Sequence, residues 1–370
     1  MSPTFSELTT LGVGGPIGRY VPLESKKQAV TEFRRVLDEG EDWLILGGGS
    51  NFVVGDDGFS GTVLHALFRG RQEKRGKEPE TVLLTALAGE PWDELVEYAV
   101  GQGLAGLESL SGIPGSVGAS VMQNIGAYGH DVSEVIDQVE YLDATTGEVV
   151  LLTPEDLGLG LRTSVFKQGI KRGLILSVTV RLRKSLDSLP IQFHQLADAV
   201  GCGLGDVRPL AEVRDAVLRI RRAKGMVVDP EDTDSRSVGS FFLNPIVSER
   251  FSHSLPAECP RWYLDEPADL VVALEGDQAP AFSPSPVDSV SRVKLSAAWL
   301  IEHAGISKGF SLPGSPARVS TKHTLAITNP HGGATAEDIA SLARYIQTTV
   351  RNVFGVVLQP EPVLIGLDLG

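Results

Sequence analysis

The sequence predicts an α+β fold, on three observations. Short apolar runs of strand length alternate with amphipathic helical stretches through the first third. The middle is rich in strand-like sequence, and a smaller α/β unit closes the chain. At 370 residues the chain exceeds what one hydrophobic core usually holds, so two or three domains are expected. An apolar content of 42% beside 22% charged residues is that of an ordinary folded protein.

The elements follow in order. Residues 26–37 carry apolar side chains at helical spacing and stop before Gly40. Trp43-Leu44-Ile45-Leu46 reads as a short buried strand running straight into Gly47-Gly48-Gly49-Ser50-Asn51. Residues 62–67 and 81–88 suggest a strand pair, and residues 91–102 a helix with Pro91 in its first turn and Gly103 at its end. Residues 112–129 read as a long glycine-rich loop, followed by β-rich sequence at 132–152 and 174–182 and an amphipathic helix over 209–224. In the last unit, 240–243 and 325–328 are strand candidates, and 294–303 and 334–353 are helix candidates. The stretch 278–286 is a loop by its Pro and Ser content, leading into the helix at 294.

Charge and composition exclude several functions. A net charge of −14 argues against a nucleic-acid partner, whose backbone requires a basic patch. Small anions remain possible. The cluster Arg219-Ile220-Arg221-Arg222-Ala223-Lys224 could receive a phosphate, or could be a solvated last helical turn favoured by the helix dipole. No apolar run approaches the roughly 18 residues of a membrane span, and the first residues lack the basic-then-apolar pattern of a secretory signal. Cys202 and Cys259 are too few for a disulfide framework and too isolated for a zinc site, so reduced thiols in a cytoplasmic protein are expected. His130, His194, His303 and His323 show no metal-ligand spacing, and no metal is expected.

The glycine segments carry the first functional signal. Consecutive glycines after a strand allow positive φ and close backbone approach, so several N–H groups can converge on one anion. A tight strand turn would use the same residues, and Gly47 to Asn51 alone leaves both readings open. A Walker loop needs Gly-Lys-Ser/Thr at its end, and a Rossmann fingerprint needs a third glycine where Phe52 stands; the segment fits neither. The second segment runs Ser111-Gly112-Ile113-Pro114-Gly115-Ser116-Val117-Gly118-Ala119 and continues to Gln123-Asn124-Ile125-Gly126-Ala127-Tyr128-Gly129. Two donor-rich glycine segments in one chain suit a dinucleotide diphosphate held from both sides.

These segments and others downstream resemble the UDP-N-acetylenolpyruvoylglucosamine reductase family, in family order across nearly the whole chain. The most specific are Ile113-Pro114-Gly115 with Gln123 to Gly129, and Gly239-Ser240-Phe241-Phe242-Leu243-Asn244-Pro245. Thr10 to Gly15, Arg162-Thr163-Ser164-Val165-Phe166-Lys167, Lys224 to Pro230, Lys294 to Glu302 and residues 354–366 agree as well. The resemblance implies a two-part FAD-binding region of the vanillyl-alcohol-oxidase type plus a C-terminal α/β substrate-binding domain. The expected boundaries are 1–68 and 69–225 for the flavin region, 226–352 for the substrate domain and 353–370 for a return segment. Residues 190–218 resemble the longer form of the family, whose extra segment folds over the substrate.

The implied reaction is NADPH-dependent reduction of UDP-N-acetylglucosamine enolpyruvate to UDP-N-acetylmuramate through FAD, in a monomeric cytoplasmic enzyme. The implied cofactor residues are Gly47, Gly48, Gly49, Ser50, Asn51, Ser111, Gly112, Ile113, Pro114, Gly115, Gly118, Ala119, Gln123, Asn124, Gly126, Ala127 and Tyr128. Neither His nor Cys falls in 47–51 or 112–120, so a covalent flavin link of the kind found in related oxidases is not expected there. Carried over by motif, Ser240 is the proton donor, Arg162 holds the substrate carboxylate, and Glu361 is a second polarising group or general acid. Arg221, Lys224, Asn244 and Glu302 match substrate-holding positions. Three positions depart from the family: Leu161 and Phe193 stand where relatives carry Tyr, and Val363 where some carry Arg.

Overall fold

The computed structural model describes residues 2–264 and 292–369; the loop expected at 278–286 lies outside them. Local signals set the first layer. Ser25 caps the helix Lys26–Glu39 by accepting from the Gln28 N–H, and Gly40 ends it at φ 64°. The face carrying Ala29, Phe33 and Val36 is buried in the main core. A three-stranded parallel sheet, ordered Ile17–Leu23, Phe59–Ala66, Trp43–Leu46, belongs to the same first part.

A second, antiparallel sheet runs Val149–Leu152, Ile136–Asp143, Gly173–Lys184, Thr81–Leu87, Arg71–Arg75. The strand pair expected from residues 62–67 and 81–88 therefore does not form. Phe59–Ala66 is the central strand of the parallel sheet, with both edges already bonded, and Thr81–Leu87 pairs with Gly173–Lys184 instead. One apolar cluster nevertheless joins the two sheets, from Leu23 and Leu64 to Leu84, Val178 and Leu182.

Residues 112–129 are not a simple loop, because Val117–Met122 is a short helix within them. Its Val117 and Val121 are buried, and Gly118 lies so close to Ala88 that an added Cβ would be 2.8 Å from the Ala88 Cβ. Burial thus overrides the low helix propensity of Gly118.

The C-terminal unit differs from expectation in the same way. Residues 240–243 form no strand: Phe241 and Phe242 are both buried, whereas a strand with one exposed face would alternate, and only Phe242 makes an isolated bridge, to Pro360. The unit's sheet is Ile246–Ser248, Arg292–Leu295 and Arg261–Leu264. Strand therefore occupies the start of the helix expected at 294, and the helix is Ala297–His303, capped by Ser296. The last helix, Ala336–Phe354, begins with a Thr335/Asp338 capping box and ends at Gly355 in the left-handed region. A separate small cluster of Ile191, Leu196, Val213, Val217 and Ile220 holds the helices His194–Val200 and Leu210–Ala223 together.

After the last helix the chain turns back. Val363–Ile365 adds as a parallel strand beside Phe52–Val54, next to the first glycine segment. This return brings the C-terminal residues to the site.

Candidate active site

The two glycine segments meet. A Cβ on Gly48 would lie 2.8 Å from the Gly115 Cα, and one on Gly47 would lie 2.5 Å from the Ser116 Oγ. Gly49, at φ 63°, presses against the Leu8 carbonyl, where a Cβ would come within 2.1 Å of the oxygen. Side chains tie the contact: Ser50 Oγ donates to the Pro114 carbonyl at 3.2 Å, and Asn51 Nδ2 donates to Gln123 Oε1 at 2.8 Å. The segments form one cradle that only glycine could line this closely.

The cradle is braced from behind. The Gly112 N–H donates to Asp93 Oδ1 at 2.6 Å, and Arg214 grips both Asp93 oxygens at 2.7 and 3.0 Å. Burial works against the Asp93 charge, but Arg214 and the Gly112 N–H together outweigh it and hold the carboxyl below its usual range. Ser111 is fully buried, its hydroxyl donating to the Glu108 carbonyl at 2.6 Å.

A cavity of about 390 Å³ opens in front of the cradle. Ser50, Asn51, Ile113, Pro114, Ala119, Gln123 and Gly126 line it from the glycine segments, and Arg162, Arg221, Ser240 and Glu361 line it from elsewhere in the chain. Of the other expected cofactor residues, Gly47, Gly48, Gly49, Ser111, Gly112, Gly115, Gly118, Asn124, Ala127 and Tyr128 stand outside that wall. Lys224, Asn244 and Glu302 do too: Lys224 Nζ donates to Gln195 Oε1 at 2.8 Å, Asn244 Oδ1 accepts from the Ala297 N–H at 3.0 Å, and Glu302 Oε1 accepts from Thr324 Oγ1 at 3.1 Å.

The distant reactive candidates converge because residues 359–363 are stitched on both sides. The Leu243 N–H donates to the Gln359 carbonyl at 2.9 Å, and the Glu361 N–H donates to the Phe241 carbonyl at 2.9 Å. The Val363 N–H donates to the Asn51 carbonyl at 2.9 Å. Glu361 is thereby fixed one residue from Ser240 in the hydrogen-bond pattern and two residues from the first glycine segment. Arg162 completes the group, its Nε 3.4 Å from Glu361 Oε1 and its two Nη atoms donating to the carbonyls of Asn124 and Gly126.

Backbone strain marks the same place. Four non-glycine residues have left-handed φ among the described residues, and three are Asn124 at 44°, Tyr128 at 53° and Arg162 at 55°. Such conformations cost on the order of 1–3 kcal/mol each and survive only where the surroundings impose them.

The electrostatics follow from burial. The Glu361 carboxyl is pushed up by burial, with Arg162 and Lys167 pulling the other way. Burial lowers the Lys167 ammonium and the Arg221 guanidinium from their usual values. Arg221 Nη2 donates to the Met226 carbonyl at 2.9 Å, while its buried Nε has no partner among the described residues. An orphaned cationic donor on the wall and a side-chain-free cradle beside it both fit an anionic cofactor such as a dinucleotide diphosphate.

The departing residues are placed as follows. Leu161 is exposed, Phe193 packs edge-on against Tyr128 at 5.8 Å between ring centroids, and Val363 lies on the cavity wall. Sequence reasoning assigned no role to Lys167, Phe166, Met226 or Ser237, which also line the cavity. Lys167 closes the Arg162 segment and could have been found there. Asp93 sits in an ordinary helix and carries no motif signal.

Comparison with known proteins gives the family. Residues 18–153 match the FAD binding domain family, and residues 229–365 match the UDP-N-acetylenolpyruvoylglucosamine reductase C-terminal domain family. The curated reductase of that name from Leifsonia xyli is 48% identical over 99% of both chains. The one from Thermobifida fusca is 43% identical over 98% of this chain and 97% of its own. The crystal structure of the Thermus caldophilus reductase superposes with a TM-score of 0.62 at 24% identity, covering 98% of this chain and 97% of that one, which shows the shared fold. The chain belongs to the UDP-N-acetylenolpyruvoylglucosamine reductase family.

Proposed function

We propose that this chain reduces UDP-N-acetylglucosamine enolpyruvate to UDP-N-acetylmuramate, with non-covalent FAD and with NADPH as reductant, for peptidoglycan precursor synthesis. The observation that carries the reading is the meeting of Arg162, Ser240 and Glu361 in one cavity walled by both glycine segments. We further take the enzyme to be a cytoplasmic monomer; no helix among the described residues is long and apolar enough to cross a membrane. In this reading residues 1–68 and 69–225 form the flavin part, 226–352 the substrate part, and 353–370 the segment that returns Glu361 to the site.

When bound, the flavin supplies the hydride for C3 of the enolpyruvyl group. The chain's own residues must then deliver a proton to C2 and hold the negative charge that develops in the conjugated carboxylate. Arg162 is fitted to the second task, since its guanidinium is fixed by two carbonyls and pairs naturally with a carboxylate. Ser240 is the proton donor at C2. A serine hydroxyl is a weak acid in water, but an enolate-like carbon is a strong base, and the alkoxide need persist only briefly. Glu361 keeps its proton to higher pH than an exposed carboxyl, which suits a general acid beside Arg162. Arg221, Lys224, Asn244 and Glu302 are assigned to holding the substrate. The cradle of Gly47, Gly48, Gly49 and Gly115 would receive the cofactor's diphosphate.

The test is anaerobic. The flavin is reduced with NADPH, the enolpyruvyl substrate is added, and reoxidation is followed by flavin absorbance. Reoxidation with formation of UDP-N-acetylmuramate is expected; a reduced flavin that persists would refute the function.

A further inference from the structure

Lys167 lies on the cavity wall without a role in the chemistry above. Its backbone is fixed: the Lys167 N–H donates to Ser164 Oγ at 3.2 Å, and that hydroxyl donates in turn to the Met122 carbonyl, at the end of the helix in the second glycine segment. The neighbouring Phe166 is buried against Tyr141, with ring centroids 5.1 Å apart. From this anchored turn the Lys167 side chain reaches the cavity wall, and its Nζ donates to the Glu361 main-chain carbonyl at 3.3 Å.

Two cations thus divide the work on one residue. Arg162 meets the Glu361 carboxyl at 3.4 Å, and Lys167 holds its main chain. The Glu361 N–H is already committed to Phe241, next to Ser240, so Lys167 bonds the other side of the same peptide segment. We propose that Lys167 is a positioning residue for the proton-delivery step, its ammonium clamping the Glu361 main chain so that Glu361 stays in register with Arg162 and Ser240. The inference rests on the function proposed above.

The charge matters as well as the bond. The charged groups that act on Glu361 are Arg162 and Lys167, and Arg162 also helps lower the Lys294 ammonium. Phe241-Phe242-Leu243 and Asn51, which pack on the same segment, bring no titratable group. Burial drives the Glu361 carboxyl up and the Lys167 ammonium down, while the attraction between them pulls each back toward its charged form.

Lys167→Met removes donor and charge at similar length, and Lys167→Arg keeps both. In the flavin-loaded protein, the Glu361 carboxyl is titrated by carboxyl-carbon NMR, its signal assigned by its loss in Glu361→Gln. The midpoint should rise in Lys167→Met and stay near wild type in Lys167→Arg. Flavin reduction by NADPH should be unchanged in both. The rate of reoxidation by substrate should fall roughly 10- to 100-fold in Lys167→Met, chiefly in kcat, as expected for an ångström-scale misplacement. Should Lys167→Met lose flavin, Lys167→Gln carries the same titration. A Glu361 midpoint unmoved by loss of the Lys167 charge, or an Arg variant as impaired as Met, would overturn the proposal. If the wild-type flavin is never reoxidised by the substrate, the proposed function fails, but the NMR midpoint still decides the Lys167 contact.

Discussion

Gly48→Ala tests the cradle directly. The added Cβ would sit 2.8 Å from the Gly115 Cα and 3.0 Å from its carbonyl carbon, whereas ordinary contact begins at 3.4 Å. The segments would have to part by 3.4 − 2.8, or about 0.6 Å. Both obstructing atoms are backbone, so no rotamer change relieves them. Nor can Gly115 retreat freely, because its carbonyl accepts from the Trp92 N–H at 3.0 Å. Overpacking of this kind costs about 1–3 kcal/mol. Taken entirely from cofactor affinity, that is roughly a 5- to 150-fold weaker Kd for FAD. Gly101→Ala is the control: it ends the helix Trp92–Gly101, has nothing within 4 Å of its Cβ position, and should be neutral or gain up to about 1 kcal/mol. Calorimetric titration of the apoprotein with FAD gives the affinity, and thermal melts catch any cost that falls on the fold. Wild-type affinity and Tm in Gly48→Ala, or equal damage from Gly101→Ala, would refute the close contact of the two segments.

Three further outcomes are expected. Ser240→Ala should leave flavin reduction by NADPH intact and slow reoxidation by substrate about 10²- to 10⁴-fold, measured by stopped-flow absorbance. Glu361 has a folded pKa above its ordinary value, so in the window between the two the folded chain binds more protons and stability falls as pH rises. Melts across pH should therefore show Glu361→Gln gaining on wild type as pH rises through that window; a constant difference would contradict the burial of the carboxyl. Asp93 has the opposite sign. Its folded pKa lies below the ordinary value, so its contribution is present above that value and is lost as pH falls through the folded pKa. Asp93→Asn should cost stability near neutral pH, with the gap to wild type closing on acidification.

Much of the site was legible as residue types, and little of it as geometry. Glycines that fit neither the Walker nor the Rossmann pattern pointed to a different dinucleotide cradle, and the ordered motifs gave the family. The strands around them were less legible. Phe59–Ala66 and Thr81–Leu87 look alike as apolar runs, and only the saturation of both edges of the first decides that they belong to different sheets. Phe241-Phe242 reads as strand because apolar runs cannot reveal burial on both sides. Asp93 is an acidic residue in the first turn of a helix until Arg214, far along the chain, and the Gly112 N–H are folded onto it.

The sequence by itself determined the chemical inventory: a pair of glycine segments, a guanidinium, a hydroxyl, a carboxyl, and a net acidic chain. Those properties belong to residue types and local spacing, which folding does not alter. Tertiary structure alone decided that the two glycine segments touch, and that residues 359–363 are stitched between Phe241 and Asn51. It also decided that Glu361 keeps a raised pKa between two cations. The reason is physical. Close backbone approach, long-range hydrogen bonds and desolvation depend on which distant segments share the same space, and a linear sequence does not state that.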